Sequence, residues 1–139
     1  MGKERLFSMD DGMARVNVQA TRAGEGLNWH FDRSEFTTTI FLQAPEVGVE
    51  LENRKDLRTP DNLNDDGVEA VLNGSDPEIK RIAPEPGALN LFRGVNTLHR
   101  VVPVEGKTER VIAIFSYYEV RGIAFSREER IGFYGRSVL

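Results

Sequence analysis

Apolar residues in this chain recur with a period of two, in short runs that glycine or proline keeps ending. That pattern admits little besides antiparallel strands. Met13 to Thr21 alternates Ala14, Val16, Val18 and Ala20 against Arg15, Asn17, Gln19 and Thr21, as a half-buried strand does. Leu27 to Asp32 follows the Gly24-Glu25-Gly26 turn. Phe36 to Gln43 is rich in the Thr, Ile and Phe that suit a pleated surface, and Val47 to Leu51 follows Pro45. Further strands are expected over Ile79–Ile82, Ala88–Phe92, His99–Val104 and Arg110–Tyr118, the last two forming a hairpin around Glu105-Gly106. A polar loop insert is expected at about 52–78. Within it, Val68–Leu72 can make a turn or two of helix, capped by Asp65 or Asp66 and stopped at Asn73-Gly74. The segment 126–136, charged and then rich in glycine and aromatics, has no assignment. Many short strands and few short helices predict an all-β sandwich or barrel, a single domain over 1–139.

Composition excludes several classes. With Cys 0 there is no disulfide and no thiolate metal site. Lys and Arg number 18 against 22 Asp and Glu, a net charge of -4 with the signs interspersed. Without a basic block, a nucleic-acid or anionic-membrane surface is not expected. No apolar run approaches the ~18 residues a membrane span needs, and Met1-Gly2-Lys3-Glu4-Arg5 leads into no signal-peptide core, so a cytoplasmic location is expected.

The chemistry concentrates in a few side chains. His30 and His99 are the only two histidines. In Trp29-His30-Phe31-Asp32 an imidazole and a carboxylate stand two apart. On a strand both project from one face, ~6.6 Å apart along the chain, while Trp29 and Phe31 turn to the other. Two imidazoles and one carboxylate on one side of a metal make the facial triad of non-haem Fe(II) oxygenases, which leaves coordination positions open. Arg110 supplies a further element. If Glu105 and Gly106 occupy the turn, Val101 pairs with Arg110, which then shares the face of His99 one strand step away. Its neighbours Val111, Ile112, Ala113, Ile114 and Phe115 are apolar. A cation in such a setting requires a partner, and arginine grips a carboxylate through two parallel hydrogen bonds. That partner is either an anionic ligand or a protein carboxylate across the hairpin.

These residues resemble the Fe(II)- and 2-oxoglutarate-dependent oxygenases of double-stranded β-helix (jelly-roll) fold. The match is the H-x-D of Asn28-Trp29-His30-Phe31-Asp32, the distal histidine of Gly94-Val95-Asn96-Thr97-Leu98-His99-Arg100-Val101, and the arginine of Thr108-Glu109-Arg110. It runs from about Val16 to Tyr118. The resemblance implies iron on His30, Asp32 and His99, 2-oxoglutarate chelating that iron with its far carboxylate on Arg110, and O2 as co-reactant. By the same analogy Thr37, Thr39 and Phe41 line the cosubstrate pocket, with Thr39 named for cosubstrate binding. The local sequence also resembles a bacterial subgroup that oxidises free amino acids or similar small metabolites. One branch of such enzymes halogenates, with a small residue in place of the carboxylate. This chain keeps Asp32, so hydroxylation of a small molecule is implied.

Asn28, Arg93 and the loop from Glu52 to Gly74 are candidates to meet substrate, with Asp61, Asp65 and Asp66 as an attraction for a cationic amino acid. Family members carry helices ahead of the jelly roll that buttress one sheet, whereas about a dozen residues precede the first strand here. Either a homodimer partner covers that sheet, or the chain is a natural minimal version or a fragment. Two rivals share the fold: a cupin-like metalloprotein that does without 2-oxoglutarate, and a non-catalytic binding module. A carboxylate clamp at Arg110 separates the enzyme from the first, and open metal positions separate it from the second.

Overall fold

A computed structural model of the chain describes residues 2–138. Nine strands, β1 (Phe7–Ser8), β2 (Val16–Thr21), β3 (Leu27–His30), β4 (Phe36–Gln43), β5 (Leu51–Arg54), β6 (Lys80–Ile82), β7 (Leu89–Phe92), β8 (Leu98–Val101) and β9 (Arg110–Tyr118), are joined by two short helices, α1 (Asp65–Leu72) and α2 (Arg127–Tyr134). The strands form two antiparallel sheets. In the larger the order is β1-β9-β4-β7, with β2 lying beside β1 along the same edge of β9; in the smaller it is β3-β8-β5-β6. From β2 onward the chain passes repeatedly between the sheets, which is the jelly-roll order. The all-β expectation holds, and β4 and β9 span the residues expected of them.

The expected hairpin between β8 and β9 does not form. β8 pairs with β3 and β5, while β9 pairs with β1, β2 and β4. Pro103 has no N–H to give a ladder, and the backbone beyond it pairs elsewhere. Val104 N–H donates to the Glu25 carbonyl at 2.9 Å, and the Val104 carbonyl accepts from Gly24 at 2.8 Å. Gly48, at φ 89, makes the close approach possible, since a Cβ there would lie 2.3 Å from the Pro103 carbonyl oxygen. Residues 102–109 thus cross between sheets. Val101 pairs with Leu27 and Leu51, and Arg110 pairs with Thr21.

The polar stretch from 52 to 78 is more regular than its composition suggests. Val47 makes only an isolated bridge to Glu105, and the strand begins instead at Leu51. Glu52 is buried because Arg81 and Arg100 both reach its carboxylate, at 2.6 and 2.5 Å. Helix α1 starts earlier than the apolar residues indicate. Asn64 is its cap, accepting from Gly67 N–H at 3.2 Å, and Asp65 and Asp66 lie in the first turn, where they favour the helix dipole. The helix lays Val71 against Leu57 and Leu98, and Trp29 and Phe31 pack on the same cluster. This covers the outer side of the smaller sheet. Among the described residues no helix is long and apolar enough to cross a membrane.

Candidate metal centre and its cavity

His30 and His99 meet because β3 and β8 pair with those two residues directly opposite each other. Their rings lie 4.1 Å apart. Asp32 follows the end of β3, and its backbone N–H is tied to the Gly94 carbonyl at 3.0 Å. That anchor turns the carboxylate back toward both rings: Asp32 Oδ1 is 3.5 Å from His30 Nε2 and 3.4 Å from His99 Nε2. One donor atom from each residue lies within 4.8 Å of the other two, so the group can hold a metal ion.

The remaining nitrogens show how the donors are aimed. His30 Nδ1 lies 2.7 Å from the Asn28 carbonyl, and His99 Nδ1 lies 2.9 Å from the Thr97 carbonyl. A carbonyl only accepts, so each Nδ1 carries a proton, and each Nε2 is the nitrogen turned inward toward Asp32, the one a metal would take. The other oxygen of Asp32 accepts from Thr37 Oγ1 at 2.5 Å, and Ser34 Oγ in turn lies 2.8 Å from Thr37. Burial pushes the Asp32 carboxyl up, but hydrogen bonds from His30, His99 and Thr37 outweigh it and hold the group well below the usual carboxylate range. Burial acts to lower His30, and the Asp32 carboxylate with the Asn28 carbonyl more than reverses this, raising it above the ordinary imidazole value.

Metal uptake must therefore displace a proton from His30. Because its value is raised, affinity for Mn(II) or Fe(II) should fall as pH is lowered through that value, at a higher pH than an ordinary imidazole would set, and approach tenfold per pH unit below it. Calorimetric metal titrations between about pH 5 and 8 check this, and a flat profile contradicts it.

Gly94 carries no sequence signal that sets it apart from the other glycines, yet it shapes the site. A Cβ built on it would lie 2.2 Å from Asp32 Oδ2 and 2.5 Å from Asp32 Cβ. Gly94→Ala should push the carboxylate aside and weaken metal binding by roughly 10–100-fold, the range for losing a supporting contact. The same metal titration reads it; wild-type affinity would show that the carboxylate has room to move.

The triad opens into a cavity of about 680 Å³ between the sheets, of the size that small-molecule sites take. Arg110 lines it from the opposite sheet, across from His99 rather than beside it. It is 3% exposed. Among the described residues its Nε has no hydrogen-bond partner, and Glu109, the nearest carboxylate in sequence, turns outward to Arg22 at 2.9 Å. The guanidinium lies 5.2 Å from the centroid of the Phe41 ring, and burial lowers its pKa. Phe41 is thus the bed under Arg110 rather than a wall of the cavity. Thr37 and Thr39 do line it, and Thr39 Oγ1 accepts from Asn90 Nδ2 at 3.4 Å.

Asn28, Arg93 and the segment 52–74 are not among the lining residues. Asn28 and Arg93 are exposed, the Arg93 guanidinium lying 5.7 Å from the centroid of the Phe36 ring, and 52–74 is drawn onto the outer side of the smaller sheet by Leu57 and Val71. Asp65 and Asp66 border a separate shallow depression with Asn62 and Asn64. The unassigned segment 126–136 takes the place expected of that loop: α2 brings Phe133 and Tyr134 to the cavity, beside Phe125.

No curated protein matches the sequence. The family model HalD, halogenase D, matches residues 8–127, a stretch that contains the triad, Arg110 and every strand but the first residue of β1. With that span matched and a His-Asp-His group able to hold a metal, the chain belongs to the halogenase D family.

Proposed function

We propose that this chain is an Fe(II)- and 2-oxoglutarate-dependent oxygenase that hydroxylates a small molecule. Arg110 carries the reading. A buried guanidinium with an unpaired Nε, in one cavity with a His-Asp-His group, is a waiting site for a carboxylate. A cupin-like protein without a diacid cosubstrate has no use for such a cation.

In this reading His30, Asp32 and His99 hold Fe(II), which, with 2-oxoglutarate and O2, supplies the power to oxidise an unactivated C–H bond. The protein's part is orientation and exclusion of water. The Asn28 and Thr97 carbonyls fix both imidazoles, and Thr37 fixes the carboxylate. Arg110 receives the far carboxylate of the diacid, with the face of Phe41 beneath the guanidinium and Thr39 on the same wall. The apolar lining around them keeps the reacting centre dry.

The family name points to carbon–halogen bond formation. Asp32 favours hydroxylation here, because its carboxylate stands at the donor position a halide would need and is braced there by Thr37. The testing experiment is an anaerobic titration with Fe(II) and then 2-oxoglutarate, watching for their visible charge-transfer band, followed by turnover in chloride with mass analysis. A band, succinate release and an oxygen-bearing product support the proposal. Iron without the band returns the cupin reading, and a chlorinated product overturns hydroxylation.

A further inference from the structure

We infer that the substrate of this cavity presents an aromatic side chain rather than a basic one, and that a wall built by α2 receives it. The inference rests on the proposed oxidation of a small molecule at the triad. It comes from residues largely beyond the family match, which ends at 127.

Phe125 and Phe133 stack with ring centroids 4.9 Å apart and planes 6° from parallel. Tyr134 leans on both, at 6.4 and 6.2 Å. All three line the cavity that contains the triad, yet Phe133 is 66% exposed. A phenyl face left in water at the rim of a cavity is covered best by another flat ring, which buries apolar area and extends the stack.

The wall is held firmly. Arg130 Nε donates to Asp11 Oδ2 at 2.9 Å, and Asp11, its side chain fully buried, also accepts from Phe125 N–H at 3.1 Å. The Tyr134 hydroxyl accepts from Asn17 Nδ2 at 2.8 Å, and Ser126 with Glu129 forms a capping box. The wall is also tied to the metal site. Arg33, the residue after Asp32, pairs with Glu129 and places its guanidinium 5.4 Å from the centre of the Phe125 ring.

The same surroundings disfavour a basic group. Among the described residues lining the cavity, the sole acid is Asp32, which is committed to the triad and to Thr37. Glu129 is taken by its pair with Arg33, so it is not free to receive a cation. An incoming ammonium or guanidinium would lose water and gain no anion.

L-Phenylalanine and L-lysine share their α-carboxylate and α-ammonium, so their difference reports the side chain alone. Calorimetric binding of each to the full chain, without metal, should favour phenylalanine by roughly tenfold or more. Phe133→Ala should erase that preference, and Phe133→Leu, apolar but not flat, should restore part of it. Neither ligand binding, equal binding, tighter lysine, or a preference untouched by Phe133→Ala overturns the inference. The charge-transfer band is read separately on the same proteins. Ring preference without the band supports the wall and removes the oxygenase; the band without ring preference does the reverse.

Discussion

With His99 replaced by alanine, the chain is expected to fold and to bind no Fe(II), so turnover falls to background. His99 is the most buried member of the triad, its side chain 6% exposed against 30% for His30 and 20% for Asp32. It is also the member that bridges the small sheet, pairing with His30 on β3 and Asn53 on β5. Its Nε2 is pre-aimed by the Thr97 carbonyl, so little ordering is needed when metal arrives. Losing such a ligand should exceed the roughly 10–100-fold that losing a supporting contact costs. Metal titration reads the affinity, and circular dichroism reads the fold. A His99→Ala protein with wild-type affinity and turnover would remove the triad as the metal site.

Arg110 yields the second large effect, with opposite signs for function and stability. Arg110→Ala and Arg110→Met should spare metal binding and weaken 2-oxoglutarate by about a hundredfold or more, since two charge-assisted hydrogen bonds at roughly 1.5–3 kcal/mol each are lost. Arg110→Lys keeps the charge but not the fork and should fall between. The ligand-free protein should respond the other way. A buried cation with an unsatisfied Nε destabilises the fold, and methionine fills a similar volume on the Phe41 ring without needing a partner. Arg110→Met should therefore raise stability by roughly 1–3 kcal/mol and the Tm by several degrees. Thermal unfolding checks the gain, and the charge-transfer band, titrated with 2-oxoglutarate, checks the loss. Unchanged cosubstrate affinity would refute the clamp; a lower Tm for Arg110→Met would show that the guanidinium is satisfied in the empty cavity.

The two signs together describe a protein that sacrifices stability at its site. Catalytic cavities commonly do this, because a group poised for a ligand is unsatisfied until the ligand comes. Neighbouring contacts limit the strain: Phe41 under Arg110, Thr37 behind Asp32, and carbonyls behind both histidines.

Much of the architecture was legible in the alternation of side chains. The bounds of β4 and β9 follow from residue types suited to strands, and the packing of Trp29 away from His30 follows from a period of two; Asp32, beyond the end of β3, is aimed instead by its tie to Gly94. The sequence by itself determined which side chains carry the chemistry: two histidines, an aspartate two residues from one of them, and an arginine in an apolar run. It did not determine who faces whom. Pairing between strands is non-local, and a hairpin at Glu105-Gly106 was locally reasonable until Pro103 and Gly48 sent the segment across to the other sheet. Arg110 reached the cavity by that crossing, from opposite His99 rather than from its side. The strand β5 hid in a polar stretch because its one buried residue, Glu52, is neutralised by Arg81 and Arg100, both distant in sequence. Likewise the aromatic wall of α2 took its place through Asp11, Asn17 and Arg33, which lie far away along the chain. Only the tertiary structure decided those arrangements, because each depends on a partner that local periodicity cannot specify.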